Sequence, residues 1–423
     1  MEQTEMILSK AISSRSRSVT APANVVRKTE GISVEELVGM IGGSATGSGQ
    51  VVTVESSKNV ATAYRCGNIL SDDMAKLPLQ VFISRRSGEI ERQRPDPFTN
   101  NLAWLTERKP NRWWTPFQFK KQKAQWLIYW GNAYVWQPPA YPREHFILPS
   151  KVTYAVFDRA GELWYATRFR GDSHETYLPA VEVAHTMINP DETGFNGRGV
   201  VQFARETIGR QLAGYASQNS LFKNGLSAAG ILWLNGHSTP EERKKVRGMY
   251  EETMSGEVNA SRFAVLDTKV SKFEPVTMNP RDVQFLSLLQ DNDIAVMNFF
   301  GMPAYKLNTG KQAYQSNEQN NLDYLSTTLD PYLVQDEQVG GIKWLSEEEQ
   351  GYMYLRYERS ALFRTDAKSR GDYLNAAIQN MRMTPNQARQ IEDSPRDPNP
   401  AADKLYRNAG VVPIDYNLGE SNV

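Results

Sequence analysis

The stretch from Asn279 to Leu333 constrains this chain most. It reads as a long apolar helix, an abrupt stop, a polar loop and a second long helix. Asn279-Pro280-Arg281-Asp282 supplies a cap residue, a proline for the first turn and a carboxylate near the positive end of the helix dipole. Phe285, Leu288, Leu289, Asn292, Val296 and Phe299 then recur at helical spacing. Phe300-Gly301-Met302-Pro303 ends the run, because Gly301 accepts a left-handed cap and Pro303 cannot continue a helix. From Tyr305 to Glu318 the chain offers Lys306, Asn308, Lys311, Gln312, Gln315 and Asn317, with few apolar anchors. A long loop without a strand of its own is usually functional or disordered. A helix follows from about Glu318, and Pro331 in its interior predicts a kink.

The length of 423 residues calls for more than one domain. No apolar run approaches the ~20 residues of a membrane helix, and the start Met-Glu-Gln-Thr-Glu lacks a secretory signal, so a cytoplasmic chain is expected. Lys+Arg and Asp+Glu both total 48, a net charge of zero. That balance excludes a protein that grips DNA tightly by counterion release and leaves weak or sliding contact open. With 1 cysteine, Cys66, neither an internal disulfide nor a cysteine metal cluster can form. Cys66 falls in the helical pattern Val60, Ala63, Gly67, Leu70, Met74, Leu77, as a small packed side chain.

The first part reads as α+β. A Ser- and Arg-rich arm and a flexible glycine loop (Gly42 to Gly49) precede a helix from Asn59 to Leu77, stopped by Pro78. Leu79 to Ile83 reads as a strand with a turn at Ser87-Gly88, and Thr115-Pro116-Phe117-Gln118 as a capping box opening a helix to about Trp130. Strands follow at Ala133 to Trp136 and Val183 to Ile188, with a hairpin about Arg159-Ala160-Gly161. Val201, Ala204, Ile208, Leu212, Tyr215, Asn219 and Phe222 mark a helix from Gly199 to Lys223, roughly 35 Å long at ~1.5 Å per residue. Between it and the Pro280 helix lies a small α/β insert, with strands at Gly230 to Leu234, Phe263 to Leu266 and Val270 to Phe273 and a helix opened by Ser238-Thr239-Pro240-Glu241. Two long helices bracketing such an insert suggest a stalk with a module at its tip. Ala367, Gly371, Leu374, Ile378 and Met381 form a later helical stripe, and Thr384-Pro385-Asn386-Gln387 a further capping box.

No residue constellation points to catalysis. His145, His174, His185 and His237 show no ligand spacing, and His185 in its strand reads as structural. Thr309-Gly310-Lys311-Gln312 imitates the end of a phosphate loop, but Tyr305 stands where the first glycine belongs and Gln312 replaces the magnesium-binding hydroxyl. Nucleotide binding is rejected. Trp113, Trp114, Trp126, Trp130 and Trp136 read as core or subunit-interface packing before a stacking platform for single strands. Asp72-Asp73 and Asp291 with Asp293 read as exposed helix faces, like-charge boundaries or intersubunit pairs. No catalytic residue, cofactor or metal is expected.

The order and spacing of several segments resemble the portal proteins of tailed double-stranded DNA phages, of the Hong Kong ninety-seven type. They are Tyr64 to Ile69 through Lys76-Leu77-Pro78-Leu79, Lys109-Pro110-Asn111, Gly131-Asn132-Ala133-Tyr134, Val183-Ala184-His185, Gly197-Arg198-Gly199, Phe222-Lys223-Asn224-Gly225, Phe299 to Pro303, Leu329-Asp330-Pro331 and Thr384 to Arg389. The family often has glutamate where Gln387 stands and a leucine-rich stretch where Tyr305-Lys306 stands.

The resemblance implies an α+β portal-type fold. Its parts would be a flexible arm (1–30), an α/β wing (31–197), a stem helix (198–224), a small α/β clip (225–279), a second stem helix (280–301), a tunnel loop (302–318), a kinked helix returning to the wing (319–346), a helical crown (347–393) and a flexible tail (394–423). It implies a structural protein without enzymatic activity: a dodecameric ring at one capsid vertex, passing double-stranded DNA during packaging, retention and ejection. Implied partners are further copies of the chain, the terminase motor, the major capsid protein and scaffold, and a head–tail adaptor, with no membrane. The location would be the virion, and the host cytoplasm during assembly. Lys306, Asn308, Lys311, Gln312 and Gln315 would line the channel. Two other classes stay open at this stage: a nucleotide or nucleic-acid hydrolase with a scattered site, and another virion connector.

Overall fold

The computed structural model describes residues 46–86, 88–169, 174–223, 230–234, 239–245, 248, 270–275, 291–307, 317–363, 367–392 and 394–406. The arm at 1–30, Asn308, Lys311, Gln312, Gln315, the strand expected at Phe263 to Leu266 and the start of the Pro280 helix lie outside them. The chain divides into two units, Met1–Tyr357 and Glu358–Val423.

The first unit is mixed helix and small antiparallel sheets. Helix α1 (Ala61–Lys76) buries Ala63, Cys66, Gly67, Leu70, Met74 and Ala75 along one stripe, as the spacing predicts. Burial pushes the Cys66 thiol up to about 12, so it stays a protonated packing group. Helix α2 (Pro116–Trp130) opens with the expected capping box, Thr115 with Gln118, and ends at Gly131, whose φ of 82° is left-handed.

Strand β1 (Leu79–Ser84) pairs with β2 (Ile90–Arg92), and β3 (Asn132–Trp136) is central in a sheet of order β4-β3-β8, with β4 Phe146–Leu148 and β8 Val183–Met187. A third sheet holds β5 (Tyr154–Phe157), β6 (Leu163–Thr167) and β7 (Thr176–Pro179). Side chains alternate across β3 with the period of a strand. Tyr134 and Trp136 join Phe146, Tyr165, Phe169 and Leu178 in a core shared with the third sheet. Val135 packs on the other side with Phe119, Ala184, Val339 and Trp344. Trp136 is therefore core, as expected, whereas Trp126 and Trp130 are only half-buried, their rings 5.9 Å apart.

Helix α3 (Val200–Lys223) matches its expected extent. Strands β9 (Gly230–Leu234) and β10 (Val270–Pro275) form a separate hairpin. Residues 240–245 are helical behind a capping box that uses Thr239 and Glu242. Helix α4 covers 291–299 of the described chain. Its buried residues are Val296 and Met297, followed by Phe300, while Phe299 is 43% exposed, so the expected stripe is corrected by one position.

The helix expected to kink at Pro331 instead runs from Asn317–Tyr324 through a π-helical turn, Leu325–Leu329, into α5 (Asp330–Trp344). Proline has no N–H and deprives the carbonyl four residues back of its usual partner. The Asp330 N–H bonds to Leu325 O in the wider π pattern, so the chain absorbs Pro331 one turn early. After α5, strand β11 (Met353–Tyr357) pairs antiparallel with β1 in the order β11-β1-β2. A crown boundary at 347 therefore cuts off a strand of the first unit.

A buried ion pair joins these pieces. Lys123 on α2 and Asp336 on α5 meet with side chains 6% and 3% exposed. Asp336 also accepts from Thr186 Oγ1 on β8 at 3.1 Å and from the Tyr357 hydroxyl on β11 at 2.6 Å.

In the second unit, helix Ala367–Gln379 buries Leu374 and Ala377. It ends at Met381, which is left-handed (φ 57°) and 49% exposed, not the last residue of a buried stripe. Thr384 and Gln387 form the expected capping box of helix Pro385–Ile391. Asn386 donates to Asp397 O at 3.1 Å and to Asp403 at 2.8 Å, so the tail expected to be loose from 394 is tied down through 403.

Asp336→Ala leaves the Lys123 ammonium buried without its carboxylate, and stability should fall by about 3–5 kcal/mol. Urea unfolding checks this, and Lys123→Met with Asp336→Leu should recover most of the loss. An unmoved midpoint in Asp336→Ala would show that the pair holds nothing together.

Candidate functional site at the helix junction and loop root

Two places matter in this fold: where α3 leaves the sheets and where the polar loop begins. At the first, Gly131, Gly197 and Gly199 bring three backbone segments together. A Cβ on Gly197 would lie 2.1 Å from Gly131 O, and one on Gly199 would lie 2.0 Å from Tyr129 O. Only glycine permits such an approach. Asn132 locks the crossing: its Oδ1 accepts from Gly197 N at 2.7 Å, and its Nδ2 donates to Gly197 O at 2.8 Å.

His185 supports the lock. Its Nε2 faces Asn132 Oδ1 at 2.9 Å, and its Nδ1 faces the Tyr165 hydroxyl at 3.3 Å. A neutral ring donating from Nε2 and accepting at Nδ1 satisfies both. Burial, aided by the Lys343 charge, lowers its pKa from 6.5 to about 3. The histidine is structural, as expected. Gly47 N donates to Glu206 on α3 at 3.1 Å and Thr46 packs against Gly209, so this part of the expected flexible loop is fastened to α3.

Asp293 joins three helices. Its Oδ1 accepts from Thr62 on α1 and from Gln211 Nε2 on α3 at 3.0 Å. Gln211 itself is 1% exposed. Asp293 is thus an internal tie, not an exposed carboxylate.

The loop root is built from four groups. Gly301 takes φ 62°, and Met302 N bonds to Met297 O at 2.9 Å while Gly301 N bonds to Asn298 O at 3.0 Å. This is the Schellman stop expected of that glycine. Phe300 packs on Tyr129 of α2, ring centres 6.1 Å apart, and Thr328 Oγ1 in the π turn donates to Gly301 O at 2.6 Å. Pro303 then leads into a tight turn, Ala304–Leu307.

That turn is pinned from both sides. The Tyr305 hydroxyl donates to Asn320 O at 2.5 Å, across the loop. Lys306 Nζ lies 3.7 Å from Asp73 Oδ2 and 4.3 Å from the centre of the Tyr324 ring. Asp73, only 6% exposed, also takes a hydrogen bond from the Tyr324 hydroxyl at 3.1 Å and from Lys76 at 3.1 Å. Burial, with the Asp73 charge beside it, raises the Tyr324 pKa well above the usual range. Lys306, expected to line the channel, is thus engaged at the loop root, and Asp73 is not part of an exposed acidic face. Asp72 pairs with Lys121 at 2.6 Å.

Gly301 makes the helix stop expected of it and Pro331 lies beside a π turn in place of the expected kink, while Asp73, Asn132, Gln211, Asp293, Tyr324 and Thr328 had no role in the sequence reading. A signal existed for two of them. Asp73 lies three residues after Leu70 and four before Leu77, and Asp293 lies three before Val296, each on a buried stripe. A carboxylate at such a position needs a partner from another segment.

The fold defines a scaffold of helices and small sheets with a pinned turn at Ala304–Leu307, and no group of three or more potential metal ligands occurs among the described residues. No helix among them is long and apolar enough to cross a membrane. A family described as phage portal protein matches residues 61–393. The chain belongs to the phage portal protein family. The portal protein of Enterobacteria phage HK97 is 25% identical over 361 residues, 84% of this chain and 83% of that protein. An HK97-family phage portal protein from Corynebacterium diphtheriae superposes with a TM-score of 0.51 at 13% identity, covering 77% of this chain and 99% of that one. A chain from the neck of a native gene transfer agent particle, computed with C12 symmetry, superposes with a TM-score of 0.52 at 17% identity, covering 81% and 92%. The family is one of structural proteins, not enzymes.

Two variants test the junction. Gly199→Ala forces a methyl into Tyr129 O and should lower stability by about 1–3 kcal/mol, read by thermal unfolding; an unchanged midpoint would show that α3 can leave α2 without loss. The pH dependence tests His185. The unfolded histidine takes up a proton near 6.5 and the folded one only near 3. Its contribution is therefore complete above 6.5 and is lost as pH falls toward 3. His185→Gln should flatten the stability curve across that window relative to the parent protein, and parallel curves would contradict the assignment.

Proposed function

We propose that copies of this chain form a dodecameric ring at one vertex of the phage head, and that double-stranded DNA passes through its central hole during packaging, retention and ejection. In this reading α3 and α4 belong to the stem, the β9–β10 hairpin to the clip, residues 302–318 to the tunnel loop and the second unit to the crown. The clip end serves as the docking site for the terminase motor and the head–tail adaptor. Other surfaces meet the major capsid protein and scaffold while the ring assembles in the host cytoplasm. The terminase supplies the energy.

The observation that carries this reading is the family match over residues 61–393. The C12 symmetry of the gene transfer agent neck supports the subunit number. Two physical features agree with it. The 48 cationic and 48 acidic side chains cancel, so passing DNA meets no strong counterion-release brake. Lys306 is held beside Asp73 and Tyr324 at the root. In this reading Lys311, with Asn308, Gln312 and Gln315, meets the DNA. Repetition around a ring turns one lysine per chain into a concentrated local field.

Negative-stain images of the purified chain should show rings with a central hole; monomers under all conditions would count against the proposal. Heads carrying Lys311→Glu should still assemble while DNA filling or retention changes, and normal packaging in that variant would remove the loop from the mechanism. Lys306→Glu, which sets a carboxylate against the buried Asp73, should instead lower the stability of the chain.

A further inference from the structure

A groove of about 390 Å³ opens beside the β3–β4 loop and shares no lining residue with the helix junction or the loop root. Its floor is fixed before any ligand arrives. His145 N donates to Pro110 O at 2.7 Å, and Asn111 Nδ2 donates to His145 O at 3.0 Å. Arg112 grips Glu144 through Nη2 to Oε2 at 2.6 Å and Nε to Oε1 at 2.9 Å. These bonds clip the segment before α2 onto the β3–β4 loop, so little ordering cost remains for binding. Trp104, Tyr141 and Pro142 provide its apolar lining.

The charges in this groove do not balance. Lys109, Arg112 and Arg143 line it with one carboxylate, Glu144. Arg112 already occupies that carboxylate in a forked pair. Lys109 and Arg143 have no ion pair among the described residues, and Arg143 rests 5.8 Å from the centre of the Phe98 ring. Phe98 is itself 80% exposed. Uncommitted cations beside aromatic and proline surface on a rigid floor suit a ligand that carries an anion next to an apolar group.

We propose that this groove binds an acidic peptide segment of a partner protein. A carboxylate lies between Lys109 and Arg143, and the adjoining apolar side chain lies on Trp104, Tyr141 and Pro142. A nucleic-acid strand also uses cations and aromatic faces, but it needs a cationic track along its backbone. Two uncommitted cations at one groove, with Glu144 in the wall, offer no such track.

Selection of a random peptide library on the full-length, assembled protein tests this. Enriched peptides should carry Asp or Glu beside an aromatic, leucine or proline residue. Lys109→Glu with Arg143→Glu should weaken capture of a selected peptide by roughly tenfold or more, and Trp104→Ala should weaken it comparably. Both cations are exposed, so circular dichroism and ring formation of the double variant should match the parent protein. Enrichment of peptides without carboxylates, no enrichment, capture that survives the double reversal, or preferential binding of an oligothymidylate to this groove would overturn the proposal.

Discussion

The pairing of Lys123 with Asp336 sets the terms for the first unit. Bringing two charges into an interior costs several kcal/mol per ion unless each finds close partners. Asp336 finds three, from α2, β8 and β11, and they are the elements that must meet for the chain to close on itself. Leu333 and Gly340 place it on the buried stripe of α5, where a leucine would pack without specifying a register. The carboxylate specifies one. Once α5 is docked, β11 can reach β1, and the π turn that precedes α5 is carried to the loop root.

The same device recurs at smaller scale. Asp293 and Asp73 each interrupt an apolar stripe and each bind groups distant in sequence: Thr62 and Gln211 for the first, Tyr324 and Lys306 for the second. Hydrophobic contact alone lets helices slide along one another. A carboxylate with two or three directed bonds stops that motion, because any shift strands a buried charge. The glycines at 131, 197 and 199 act in the complementary way, admitting a close approach that Asn132 then fastens.

Local structure was legible in the sequence where the cause was local. Capping boxes at Thr115 and Thr384, the left-handed Gly301 and the stripe of α1 follow from neighbouring residues and appear as expected. The α+β character and the extent of α3 were legible for the same reason. Features set by distant partners were not. The partner of Lys306 could not be read locally because Asp73 lies far away in the chain. The return of β11 to β1 is a pairing that no window of residues around Met353 contains. Pro331 announced a disturbance, but not that Thr328 in the resulting π turn would bond to Gly301, which only the folded chain brings close. The segments resembling known portals carried the family assignment because their order samples the chain globally, as periodicity does not.

The loop root separates two demands that conflict if the same residues must meet both. A segment that touches a moving polymer must be held in place, and it must not hold the polymer. Strong, directed bonds serve the first demand and defeat the second. Here they occur at Tyr305 and the π turn, where a tyrosine bonds across the loop and Lys306 lies beside a buried carboxylate. Lys306 is placed where its charge stabilises the scaffold, sharing the Asp73 carboxylate with Lys76. In the proposed conduit, DNA contacts made by few charges per chain and repeated by symmetry would break easily, while bonds in a packed, low-dielectric interior behind them would not.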